Sequence, residues 1–140
     1  MFTFGREHER ECVLRYLPKG EDVSRVTALV DGVHDYLDGK CSRASLYSVF
    51  ATVFSEGGSG AWEQAGSWLR RFVGENTEFQ MVWRELAAHR LGKVRFRVAC
   101  FINEMPPALA KELGSQLAED CHKKTREMAQ ARLDELSDDS

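Results

Sequence analysis

Asp31, His34, Asp35 and Asp38 are spaced i, i+3, i+4 and i+7. On a helix these residues share one face, and carboxylates beside an imidazole are donors that a transition metal accepts. One helix supplies too few ligands, and no second segment carries a matching carboxylate-x-x-His pattern. The four residues are therefore expected to form a solvated polar face opposite Val26, Val30, Val33 and Leu37. His8 with Cys12 and Cys121 with His122 have the chemistry of a Cys2His2 zinc site, but their separation matches no zinc module. The chain contains no G-x-S-x-G, no H-E-x-x-H and no phosphate-binding loop with its lysine. No catalytic residue, metal or cofactor is expected.

Charge suggests binding instead. Asp31, Asp35 and Asp38 are the acids expected to meet a basic protein partner, because rim charges speed association. An opposing surface comes from Arg70, Arg71, Arg84, Arg90, Lys93, Arg95 and Arg97. Only Glu75, Glu78 and Glu85 offset them, so this stretch is locally +4 in a chain of net charge -3. Converging on one groove, these residues would suit nucleic acid. Spread over three helices, they would pair with neighbouring glutamates.

The elements that position these residues read as helices almost throughout, with no sustained period-2 alternation. Helices are expected over about residues 6–17, 21–37, from a Ser42 cap to about 55, 61–73, about 77–91, 93–103, 107–118 and 124–136. Pro18-Lys19-Gly20, Asp38-Gly39-Lys40, Gly74, Gly92 and Met105-Pro106-Pro107 stop them, and Ser42 and Pro107 suit helix starts. Residues 56–60 carry three glycines and read as a loop between two helical halves of a single domain, 1–140. Residues 137–140 read as a frayed tail. The fold class is all-α, with about eight helices in antiparallel pairs. It is either an α-solenoid or a compact irregular array.

The last third repeats itself. Val94-Arg95, Val98 and Ile102 are followed thirty-one residues later by Thr125-Arg126, Ala129 and Leu133, with Leu109, Leu113 and Leu117 between. This pattern over Lys93 to Leu136, with its Pro turn, resembles HEAT repeats. In that family an Asp in the turn between repeats and an Arg early in the next helix tie neighbours together, and Asp120 and Arg126 match those places. Arg95 or Arg97 stands one repeat earlier, where His89 replaces the Asp. The resemblance implies a partner-binding surface and nothing catalytic. It also raises an alternative: HEAT-like alkylpurine glycosylases use a basic concave face on DNA, which would give Arg70, Arg71, Arg84, Arg90, Arg95 and Arg97 that role.

Composition bounds these readings. An apolar fraction of 43% and a charged fraction of 29% are those of a globular chain. No apolar run approaches the roughly 20 residues that cross a bilayer. The charged N-terminus carries no signal core, so the expected location is cytoplasmic. Cys12, Cys41, Cys100 and Cys121 are expected as reduced, mostly buried thiols. The functional expectation is a non-catalytic protein-binding module, in its sharper form a small bacterial immunity protein that blocks a basic toxin. A nucleic-acid binder and a scaffold subunit are the alternatives.

Overall fold

Val23, Val26, Val30, Val33 and Leu37 recur at helical steps, and burying that stripe is what fixes the helix Glu21–Leu37. The computed structural model describes residues 5–15, 21–73 and 77–138. Among them are eight α-helices: α1 Arg6–Leu14, α2 Glu21–Leu37, α3 Arg43–Glu56, α4 Ser59–Val73, α5 Thr77–Ala87, α6 Gly92–Ala99, α7 Pro107–Leu117 and α8 Lys123–Asp138. A 3-10 turn, Ile102–Glu104, lies between α6 and α7. The described residues contain no strand, so the fold is all-α. No helix among them is long and apolar enough to cross a membrane.

Local chemistry sets the helix ends. Ser42 Oγ accepts from the Ser45 N–H at 3.2 Å and caps α3. At the end of α2, Gly39 takes a φ of 76°, a left-handed conformation that costs glycine nothing. Its N–H donates to Tyr36 O at 3.1 Å and the Lys40 N–H donates to Asp35 O at 2.8 Å, satisfying two terminal carbonyls. Pro107 opens α7, where its missing N–H is not needed.

Several ends differ from expectation. The loop expected at 56–60 shrinks to Gly57 and Gly58, because α3 runs to Glu56 and α4 starts at Ser59. Gly57 is buried and its N–H donates to Val53 O at 2.9 Å. Gly92, expected to stop a helix, is instead the first residue of α6. The expected helix 93–103 ends at Ala99 and tightens into the 3-10 turn. Ser137 and Asp138, expected in a tail, are helical. Gly74, residues 16–20 and residues 139–140 lie outside the described residues.

The chain divides into two compact units, Met1–Trp68 and Leu69–Ser140, and the division falls inside α4. In unit 1, α1 packs on α2 and α2 on α3. Its core holds Val26, Leu29, Val30, Val33, Leu46, Phe50, Val53 and Phe54, all fully buried. In unit 2, α5 packs on α6 and α7 on α8, and α6 also packs on α8. Trp83 and Phe101 meet at 5.5 Å between ring centroids, Phe72 and Phe79 at 5.4 Å, and Leu86, Val94, Val98, Ile102 and Leu113 fill the space between the helices.

Candidate partner-binding site

The acids expected to face a partner are already engaged. Arg6 and Arg10 on α1 are spaced i, i+4, as are Asp31 and Asp35 on α2, so two matching ladders face each other. Arg6 Nη2 donates to Asp35 Oδ1 at 2.7 Å, and Arg10 Nη2 donates to Asp31 Oδ2 at 2.6 Å. Arg6 also lies 3.6 Å from Asp31 and 3.9 Å from Asp38. The solvated acidic face expected at Asp31 and Asp35 is thus a half-buried seam between helices; Asp38 alone stays exposed. His34 is buried within this seam. Burial, and then the Arg6 charge, hold its imidazole below the ordinary histidine range.

Much of the basic band is engaged too. Arg70 donates to Glu104 at 2.9 Å. Arg84 grips Glu112 with two bonds, at 2.8 and 3.1 Å, and its hydrogen bond holds that carboxyl below the usual range. Arg71 lies 5.3 Å from the Phe72 ring centroid. Arg97 is half-buried, and Arg90 is exposed while its carbonyl accepts from Arg95.

Arg95 is the most connected of the six. Its Nε donates to Asp120 Oδ1 at 2.7 Å, with the two side chains 13% and 8% exposed. Its Nη1 donates to His89 O at 2.8 Å, and its Nη2 donates to Cys121 Sγ at 3.5 Å. Burial alone would raise the Asp120 carboxyl; the Arg95 hydrogen bond and the His122 N–H outweigh it and hold the acid below its ordinary range. Asp120 therefore spends its carboxylate on Arg95, the arginine before it, not on Arg126. Arg126 instead donates to the Asp120 carbonyl at 2.9 Å.

The same bonds recur along the chain. Arg95 reaches back to the carbonyl of residue 89, and Arg126 reaches back to that of residue 120. The Leu91 N–H donates to His89 Nδ1 at 3.0 Å, and the His122 N–H donates to Asp120 Oδ2 at 3.0 Å. His89 and Asp120, Leu91 and His122, and Arg95 and Arg126 are each thirty-one residues apart. So are the helix starts Gly92 and Lys123. Buried Val94 and Val98 correspond at that offset to buried Thr125 and Ala129, and Phe79, Val82, Trp83 and Leu86 to Ala110, Leu113, Gly114 and Leu117.

This knot places the starts of α6 and α8 around a cavity of about 560 Å³, lined by Gly92, Lys93, Phe96, His122, Lys123, Lys124 and Thr125. The α6 start has no side-chain cap. A Cβ on Gly92 would lie 2.5 Å from His122 Cδ2, so only glycine lets that ring pack against the helix start. Lys93 and Lys124 are exposed. Lys123 makes only a 3.8 Å pair with exposed Glu127. Sequence reading did not assemble this cavity, although Lys93 and Lys124 are themselves thirty-one residues apart.

The cysteines are less buried than expected. Cys12, Cys41 and Cys100 are half-buried and Cys121 is exposed, all of them free thiols. Burial, and then Asp35, push the Cys41 thiol up. Among the described residues no cluster of three or more His, Cys, Asp or Glu could hold a metal ion. No family model matches this chain, and no curated protein or solved structure is significantly similar to it.

Proposed function

We propose that this chain is a non-catalytic protein-binding module whose second unit consists of two HEAT-like helical hairpins. The observation that carries the reading is the hydrogen-bond pattern repeated thirty-one residues apart at the starts of α6 and α8. Stacked hairpins of this kind bury their cores against neighbours and leave an extended surface for a partner. The titratable groups also support it. Burial first, and then neighbouring arginines, lower the His34 and His89 imidazoles from their ordinary range, and the enclosed carboxylate of Asp120 is committed to Arg95.

The pairing of the charged groups bears on the partner's chemistry. A basic toxin docking on Asp31 and Asp35 would have to compete with Arg6 and Arg10. A nucleic-acid backbone would find Arg70, Arg84 and Arg95 already holding carboxylates. Among the described residues, Lys93 and Lys124 of unit 2 are exposed and hold no carboxylate, which favours an acidic protein surface.

The test is biochemical. The chain is co-expressed with the products of the genes adjacent to its own, and each pair is passed over a sizing column at nanomolar concentration. Co-elution with one of them is expected. Separate elution from every neighbour, or salt-sensitive binding of a DNA duplex in its place, would oppose the module reading.

A further inference from the structure

We propose that the cavity between the starts of α6 and α8 receives an acidic side chain, flanked by an apolar one, from the bound protein. This rests on the protein-binding reading above. Three features select that ligand. First, Lys93, Lys123 and Lys124 line the cavity, and among the described residues the one carboxylate paired with any of them is exposed Glu127 at 3.8 Å. Asp120, the nearest enclosed acid in sequence, is neutralised by Arg95 and does not compete.

Second, the wall is apolar. Phe96, the Gly92 backbone and the aliphatic lysine stems offer a surface for a hydrophobic side chain, as long charged residues do when their heads stay in water. A bare inorganic anion would leave that wall wet. Third, Arg70, Arg84 and Arg95, nearby in sequence, hold carboxylates, so the basic band offers no continuous track of cations beside the cavity. A polyanion needs a track of cations; one acidic group needs a single cluster. The His122 ring, seated on Gly92, closes one side, and the first-turn amides of α6 add partial positive charge without a capping side chain of their own.

The full-length chain, labelled with nitrogen-15, is titrated with a blocked peptide of sequence Glu-Glu-Phe-Glu-Glu and with its Gln-Gln-Phe-Gln-Gln counterpart. Saturable shifts are expected at the amides of Gly92, Lys93, Lys124 and Thr125 with the acidic peptide. Its affinity is expected to fall by about tenfold or more in a Lys93→Glu, Lys124→Glu double variant and for the Gln peptide. Lys40→Glu, an exposed reversal in unit 1, should leave it unchanged. Milder Lys93→Gln and Lys124→Gln variants provide the same comparison if the reversal perturbs folding. No shift at millimolar peptide, equal shifts with the Gln peptide, or the same shifts with inorganic phosphate or oligo-dT would overturn the proposal. A natural partner that co-elutes equally with wild type and the double reversal would overturn this inference alone. Loss of every partner alongside intact peptide binding would overturn only the module reading.

Discussion

The two units hold themselves together with the same chemistry in different solvent. In unit 1, Arg6 and Asp35 pair at 2.7 Å with side chains 32% and 38% exposed. In unit 2, Arg95 and Asp120 pair at the same distance at 13% and 8%. The first is one rung of a ladder in which either arginine can reach more than one acid. The second is a fixed knot, with main-chain carbonyls, a thiol and an N–H filling the remaining bonds. Water screens the ladder and makes its members interchangeable. It is largely excluded from the knot, so each member depends on the others.

The sharpest way to break that contrast is Asp120→Ala. It strands a guanidinium that is largely out of water, and the unfolding free energy is expected to fall by about 3 kcal/mol in urea titrations. Replacing Arg95 and Asp120 together by leucine should recover much of the loss, because no unpaired charge then remains. A double variant no better than Asp120→Ala would mean that the bonds to His89 O and Cys121, not the ion pair, hold the turn.

Next in size are the helix crossings. In unit 1 a Cβ on Gly32 would lie 2.8 Å from Val49 Cγ2. Val49 is β-branched and held to one rotamer in its helix, so it cannot turn away. Gly32→Ala should therefore cost about 1 kcal/mol net, overpacking outweighing the gain in helix propensity. In unit 2, Gly114→Ala would place its Cβ 2.5 Å from Leu133 Cδ2. Leu133 Cγ lies 2.8 Å and buried Ile102 Cγ2 3.3 Å from the same point, but Leu133 is half-buried and unbranched at Cβ, so it can swing outward at smaller cost. Thermal melts of the two variants check the order, and Val49→Ala should rescue only the first.

How much of this was legible depends on the range of the interaction. The stripe on α2, the Ser42 cap, the Gly39 stop and Pro107 at the start of α7 are local, and sequence reading places them correctly. The thirty-one-residue offset was legible as well, since Val94 and Thr125 mark it. The partners of the charges were not. Asp31 and Asp35 read as a free face because Arg6 and Arg10 stand more than twenty residues away, and nothing local selects them. Arg95 and Arg97 were interchangeable on the sequence; only packing decides which one reaches Asp120. Gly92 was misread for the same reason, because its smallness serves the distant His122 ring and not its own backbone.

A smaller effect is expected in the ladder. Asp35→Asn removes the shortest bond to Arg6, but Asp31 and Asp38 stand within 4 Å of the same guanidinium. The cost should be below about 1 kcal/mol and should shrink further in high salt. The corresponding salt dependence of Asp120→Ala should be slight. Equal salt responses in the two variants would erase the distinction drawn between ladder and knot.

The finest comparison uses one histidine from each unit. Burial is the first cause that lowers both His34 and His89 from the ordinary value of 6.5, and arginines add to it in each case. A folded value below the unfolded one means that the unfolded chain takes up the proton first as pH falls. The stability contributed by each neutral ring is complete above pH 6.5 and is lost as pH drops from there through the folded value. The surroundings differ, however. Glu9, Asp38 and Asp31 oppose the shift at His34, whereas Arg90 and Arg95 both reinforce it at His89. Imidazole carbon-proton resonances followed through mild acid should therefore show His89 titrating below His34. His89→Gln should remove more of the acid sensitivity than His34→Gln. The opposite order would mean that the acids of the ladder are too well screened to be felt by the ring buried among them.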